Sequence, residues 1–138
     1  MQTLEIKRID EEISVAPQIL ASDLSAIADA GFSTVICNRP DGEGEDQQAF
    51  AEIEAAAQAA GISIMFQPVQ SGNVTDQDVV QFGRLLDNAA KPVLAYCRTG
   101  TRCTMLWCLS RSGKMPVNDI LARASAAGYD MSGIVARF

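Results

Sequence analysis

Histidine is absent from this chain of 138 residues, and with it go imidazole-activated nucleophiles and the commonest metal ligand. The 4 cysteines, Cys37, Cys97, Cys103 and Cys108, form no C-x-x-C pair, so a zinc site is not expected, and no motif calls for any other metal or organic cofactor. No apolar run approaches the roughly 18 residues of a membrane span. The stretch from Met1 to Arg8 also lacks the charged-then-apolar order of a secretory signal. These absences point to the cytoplasm, where thiols stay reduced. Basic charge is scarce: 11 Lys and Arg face 17 Asp and Glu, a net charge of -6. That balance argues against a nucleic-acid or anionic-membrane partner, either of which needs a basic patch. What remains, 48% apolar and 20% charged residues, is the composition of a globular protein, and the length suits one domain over residues 1–138.

Short apolar runs alternate with helical patterns along the chain. Leu4 to Ile6 and Ile13 to Ala16 read as a hairpin around the polar Asp10-Glu11-Glu12 turn. A helix capped by Ser22 or Asp23 runs to Ala30, and Phe32 to Cys37 is a strand ending in Asn38-Arg39-Pro40-Asp41-Gly42. A helix from about Gln47 to Ala60 precedes the strand Ile62 to Phe66. Thr75 with Asp78 marks a capping box for a helix to about Asn88. Pro116 opens a helix to Ala127, and a last short helix runs to Phe138. The expected fold class is α/β, a mostly parallel central sheet flanked by helices, with a helical C-terminus. In such sheets ligands bind beyond the carboxyl ends of the strands, which places Asn38 to Asp41, Gln67 to Asn73 and the segment after Tyr96 on one rim.

That last segment carries the chemistry. The apolar run opened by Pro92 leads through Cys97-Arg98-Thr99-Gly100-Thr101-Arg102 into a helical pattern from Met105. A strand turning into a helix through a glycine-bearing loop aims successive amides, and the positive end of the helix, at one point. Cys97 stands at the start of that loop, so its thiolate is the first anion stabilised there and its pKa is expected below the free-thiol value of about 8.5. Gly100 permits positive φ and close approach of a substrate. Arg102 can fork across an oxyanion, and Arg98 adds a second positive charge. The candidate catalytic pair is Cys97 and Arg102, with Arg98, Thr99, Gly100, Thr101 and Arg102 as the anion cradle. Arg39, Asp41 and Cys103 are accessory candidates. Cys37 and Cys108 read as core, as do Met105, Leu106, Trp107 and Leu109. Cys103 is either packed or a resolving thiol.

The C-x-x-G-x-R pattern of Cys97, Gly100 and Arg102 resembles the active-site loop of rhodanese-type sulfurtransferases and is one residue shorter than the C-x-x-G-x-x-R loop of cysteine phosphatases. The helical ending resembles the dual-specificity phosphatase fold instead. Both resemblances meet in the phosphatase-like domain of beta-lactamase-hydrolase-like proteins, a family of small sulfur transferases. The chain is similar to it in Ile13 to Gln18, in Ala30 to Ile36 followed by Asn38 to Glu43, and in Tyr96 to Arg102 before Leu106-Trp107. The resemblance implies a persulfide carried on Cys97 and a small anionic sulfur or phosphate substrate. It also implies a metallo-beta-lactamase-fold partner that processes persulfides.

Three phosphatase aids are missing. No carboxylate lies between Phe66 and Asn73 to serve as general acid, Tyr96 replaces the histidine before the nucleophile, and Cys103 replaces the serine or threonine after the arginine. Asp41 is a substitute acid by position, although aspartate before glycine is ordinarily a turn former. Asp76 and Asp78 are explained by helix capping. The leading expectation is therefore a cysteine-dependent sulfurtransferase. The alternative is a phosphatase-like hydrolase working through a cysteinyl phosphate, and a third reading is a non-enzymatic anion-binding or redox-sensing module.

Overall fold

The computed structural model describes residues 4–138. In chain order the elements are β1 (Lys7–Arg8), β2 (Ile13–Ala16), a single 3-10 turn (Ala21–Asp23), α1 (Leu24–Asp29), β3 (Thr34–Cys37), α2 (Phe50–Ala59), β4 (Ser63–Phe66), α3 (Asp76–Asn88), β5 (Val93–Tyr96), α4 (Thr101–Ser110), α5 (Val117–Ala126) and a 3-10 helix (Ser132–Arg137). The strands form one sheet of order β1-β2-β5-β3-β4. Only β1 runs antiparallel; β2, β3 and β4 all follow β5 in parallel. The expected α/β class, with its mostly parallel sheet and helical ending, is what the chain forms.

The central position of β5 explains its composition. All four of its residues are buried, because helices cover both faces of the sheet and leave no side for polar side chains. Alternation along the strand divides them between two cores. Val93 and Ala95 pack with Phe82 and Leu86 of α3, Leu106 and Trp107 of α4 and Ile120 of α5. Leu94 and Tyr96 pack with Leu24 and Ile27 of α1 and Ile53 and Ala57 of α2. Cys97, one residue beyond Tyr96, continues on the α3 and α4 side. The strand ends Ala16, Cys37, Phe66 and Tyr96 lie in register, so the loops that follow them share one rim.

Three boundaries differ from expectation. The first strand is Lys7–Arg8 rather than Leu4 to Ile6. Leu4 and Ile6 pack against the α1 and α2 core, so their apolar alternation marked burial and not pairing, while pairing occurs nearer the turn, where the Glu12 and Ile13 amides donate to Asp10 Oδ1. The segment before α1 opens as a 3-10 turn, with Leu20 N donating to Asp23 Oδ2 at 2.8 Å, so Asp23 reaches back instead of capping forward. Helix α2 begins at Phe50 and not Gln47, because Gln47 braces the preceding loop through Gly44 N and the Pro40 carbonyl. The expected Thr75 and Asp78 capping box is present. No helix among the described residues is long and apolar enough to cross a membrane.

Leu106 is fully buried between the sheet and α3, and Leu106→Ala should cost about 2–5 kcal/mol of stability. Thr75→Ala, which removes only a cap, should cost about 1 kcal/mol. Urea unfolding midpoints at an unchanged denaturant slope provide the measurement, and equal losses from the two variants would contradict this placement of the core.

Candidate active site

Strand β5 ends at Tyr96 and α4 begins at Thr101, so the chain reverses within residues 97–100. The reversal turns on Gly100, whose φ of 89° is left-handed; a Cβ there would be strained and would also collide with the Tyr129 hydroxyl. Bonds from outside hold the loop's shape. Tyr129 Oη donates to the Thr99 carbonyl at 2.9 Å and Thr104 Oγ1 to the Gly100 carbonyl at 2.8 Å. Gln18 N donates to the Arg98 carbonyl at 3.3 Å, tying the loop to the end of β2. With the carbonyls bound outward, the amides are free to point inward.

They point at the Cys97 sulfur. Gly100 N donates to Cys97 Sγ at 3.1 Å. The Cys103 thiol is the strongest single influence on that sulfur, and the amides of Cys103, Thr99 and Gly100 add to it, so the Cys97 pKa falls to about 5 even though burial alone would raise it. Cys103 is fully buried, and burial together with the adjacent Cys97 pushes its own pKa well above the ordinary thiol value. Of the two thiols, Cys97 is therefore the anion and Cys103 keeps its proton and donates. Cys103 is thus packed in the core and lies beside the Cys97 sulfur.

Arg102 is held more tightly than its sequence position suggested. Its guanidinium donates to both carboxylate oxygens of Glu43, at 2.8 and 2.7 Å, and to the Val69 carbonyl at 2.9 Å. Nε has no acceptor among the described residues, so the fork is only partly available and its remaining donors are those open to a ligand. Glu43 also accepts from Arg39 Nε at 2.9 Å, while Arg39 Nη1 reaches Gln18 Oε1 at 3.0 Å. Two buried arginines thus share one carboxylate, whose pKa is lowered chiefly by its bond to Arg102. Arg39 acts on the site through Glu43.

Asp41 is engaged at the start of the next helix. Its Oδ1 accepts from Phe50 N at 2.8 Å and starts α2, which is the turn-and-cap use its neighbours favour. Asp78 is likewise committed to the Thr75 cap, and Asp76 pairs with Arg137. A cavity of about 640 Å³ opens beside the loop, lined by Ser71 to Val74, by Arg98, Thr99, Thr101, Arg102 and Met105, and by Ile134 and Arg137 near the C-terminus. No carboxylate is in that lining. Glu43, Tyr129 and Arg137 were not anticipated from sequence. None of the three had a local signal: Arg39 and Glu43 are four apart but lie in a loop, where helical i,i+4 pairing does not apply, and only chain folding brings Glu43 to Arg102 and the C-terminus to the loop.

The family model for the phosphatase-like domain of beta-lactamase hydrolase-like protein matches residues 5–114. The beta-lactamase hydrolase-like protein of Agrobacterium fabrum is 32% identical over 126 residues, which cover 90% of this chain and 29% of that protein. Its counterpart in Xylella fastidiosa strain Temecula1 is 31% identical over 96% of this chain and 31% of its own length. The chain therefore spans about a third of the length of these relatives. Among solved structures, a candidate phosphatase from Neisseria meningitidis Z2491 superposes with a TM-score of 0.86 at 42% identity, covering 96% of this chain and 94% of that one. The core catalytic domain of a PP-IP phosphatase from S. cerevisiae, crystallised with citrate, gives 0.70 at 14% identity over 94% and 79% of the two chains, a likeness of fold alone. These names favour the hydrolase alternative over the sulfurtransferase expectation.

Alkylation of Cys97 by iodoacetamide should rise with pH about a midpoint near 5, far below the ordinary thiol. Cys103→Ala should move that midpoint upward and Cys103→Ser less so, since serine keeps a donor. Because the folded pKa lies below the unfolded one, the thiolate's contribution to stability is present above the unfolded value and lost as pH falls towards 5. A midpoint in the ordinary thiol range would refute the assigned charge state.

Proposed function

The chain belongs to the family of phosphatase-like domains of beta-lactamase hydrolase-like proteins, and on that scaffold we propose that it is a cysteine-dependent sulfurtransferase. The observation that carries this reading is the composition of the site: a cysteine of depressed pKa bonded by a second thiol, beside a cavity lined by arginines and by no carboxylate. Expelling an alkoxide or phenoxide from a phosphate ester calls for a positioned acid, which contributes about 10²- to 10⁴-fold. Sulfite leaves thiosulfate without one.

The steps follow from the residues present. Cys97 Sγ, as thiolate, attacks the outer sulfur of thiosulfate; the new bond is Cys97 Sγ to that sulfur, and the old sulfur-sulfur bond breaks with its electron pair departing on sulfite. Arg98 and the free donors of Arg102 offset the charge of the oxyanionic end. The amides of Thr99, Gly100 and Cys103 then stabilise the persulfide as they stabilised the thiolate. A thiolate or cyanide attacks the terminal sulfur and returns Cys97 to its starting anion. Cys103 donates its hydrogen bond throughout and is not consumed. The proposed partner in the cell, as the family resemblance implies, is a persulfide-processing protein of the metallo-beta-lactamase type.

A second reading, phosphatase-like hydrolysis through a cysteinyl phosphate, is supported by the scaffold shared with the Neisseria candidate phosphatase and by the Glu43 clamp that orients Arg102. Parallel assays separate the readings: thiocyanate from thiosulfate and cyanide, and phosphate from an aryl phosphate. We expect thiocyanate formation by the native protein, its loss in Cys97→Ser, and little phosphate release. Phosphate release without thiocyanate would establish the hydrolase in its place, and failure of both would leave an anion-binding module.

A further inference from the structure

The cavity is larger than an inorganic sulfur donor requires. Its volume of about 640 Å³ falls within the range of about 300–1,000 Å³ that organic ligands occupy. Its chemistry is divided. Arg98 and Arg102 stand at the Cys97 loop, Arg137 comes from the C-terminal 3-10 helix, and Val74, Met105 and Ile134 supply apolar surface. Three arginines line one cavity in a chain of net charge -6; Arg102 is paired with Glu43 and Arg137 with the exposed Asp76, and Arg98 has no carboxylate partner among the described residues.

Arg137 is the unusual member. It lies beyond residue 114, where the family match ends, and it belongs to neither the loop nor the Glu43 clamp. Its partner is Asp76, at 3.1 Å, whose side chain is wholly exposed. Such a pair is screened by water and exchanges readily for a ligand anion. Arg102, by contrast, is locked by Glu43 and Val69 and can only serve the loop end.

We propose that this cavity recognises an organic substrate with two anionic groups joined by an apolar segment: Arg98 and Arg102 hold the reacting end at Cys97, Arg137 holds the distal anion, and Val74, Met105 and Ile134 cover the stretch between. Arg137 is thus a specificity-determining residue. The proposal depends on the sulfur-transfer reading only for which group reacts; recognition itself needs no turnover.

Calorimetry on Cys97→Ser protein tests it with sulfate, a ladder of alkanesulfonates of increasing length, and sulfoalkanoates of matched length that carry a terminal carboxylate. At the best-fitting length the sulfoalkanoate should bind at least about tenfold more tightly than its matched alkanesulfonate, as expected for a charge-assisted contact to arginine. Arg137→Gln should remove that advantage while lowering sulfate and alkanesulfonate affinities far less than that of the sulfoalkanoate, and Asp76→Asn should enlarge it by freeing Arg137. Equal binding of the matched probes, a preference that survives Arg137→Gln, or no binding of any probe would each overturn the proposal. Failure of the thiocyanate assay with this preference intact would remove sulfur transfer and leave the two-anion pocket standing, so the two ideas fail separately.

Discussion

A sulfur anion buried at Cys97 is the constraint to which the rest of the molecule answers. Burial by itself raises a thiol's pKa, as it does at Cys108, pushed up to about 12 by desolvation. Cys97 is equally shielded from solvent and moves the opposite way. The difference lies in the donors gathered around it, and those donors exist because Gly100 takes a left-handed turn that lets strand become helix within residues 97–100. Tyr129, Thr104 and Gln18 fix the carbonyls outward. A charge in a low-dielectric interior is tolerable only when its hydrogen bonds are built in before it forms. The thiolate, the loop and the outer braces are therefore one unit.

The cations around that anion are organised by a second economy of charge. Glu43 serves both Arg39 and Arg102, so two buried guanidinium groups share one carboxylate and the cluster keeps a net positive charge. A carboxylate for each arginine would neutralise the site; none would leave Arg102 unoriented. Glu43 is held below the usual carboxylate range by those same bonds, so it acts as a clamp and not as a proton donor. Fold and reaction are separable: the sheet, the crossovers and the loop place a nucleophile, while the residues on the neighbouring loops decide what leaves it.

The C-terminal segment extends the site in the same spirit. Tyr129 braces the loop from behind, and Ile134 and Arg137 wall the cavity in front of it. A helical ending thus contributes to both the stability of the nucleophile's turn and the shape of the space it faces. The position of Asp41, spent on starting α2, and those of Asp76 and Asp78 at the start of α3 show where the acidic residues of this rim went.

Local pattern was enough for the parts whose physics is local. The alternation of short apolar runs and helices, the Thr75 capping box, the glycine turn after Cys97 and the depressed pKa of that cysteine all follow from neighbours within a few residues, and residue types alone specify them. The α/β class and the shared rim follow from handedness rules that hold for any such alternation. Pairing boundaries were less legible, since the apolar alternation of Leu4 and Ile6 signals burial whether or not a strand partner is in reach. Tertiary structure alone decided two things: that Arg102 is clamped by Glu43 from 59 positions away, and that Arg137 lines the cavity beside the loop. Each depends on distances across elements far apart in the chain, and a sequence encodes those distances only through the packing of the whole.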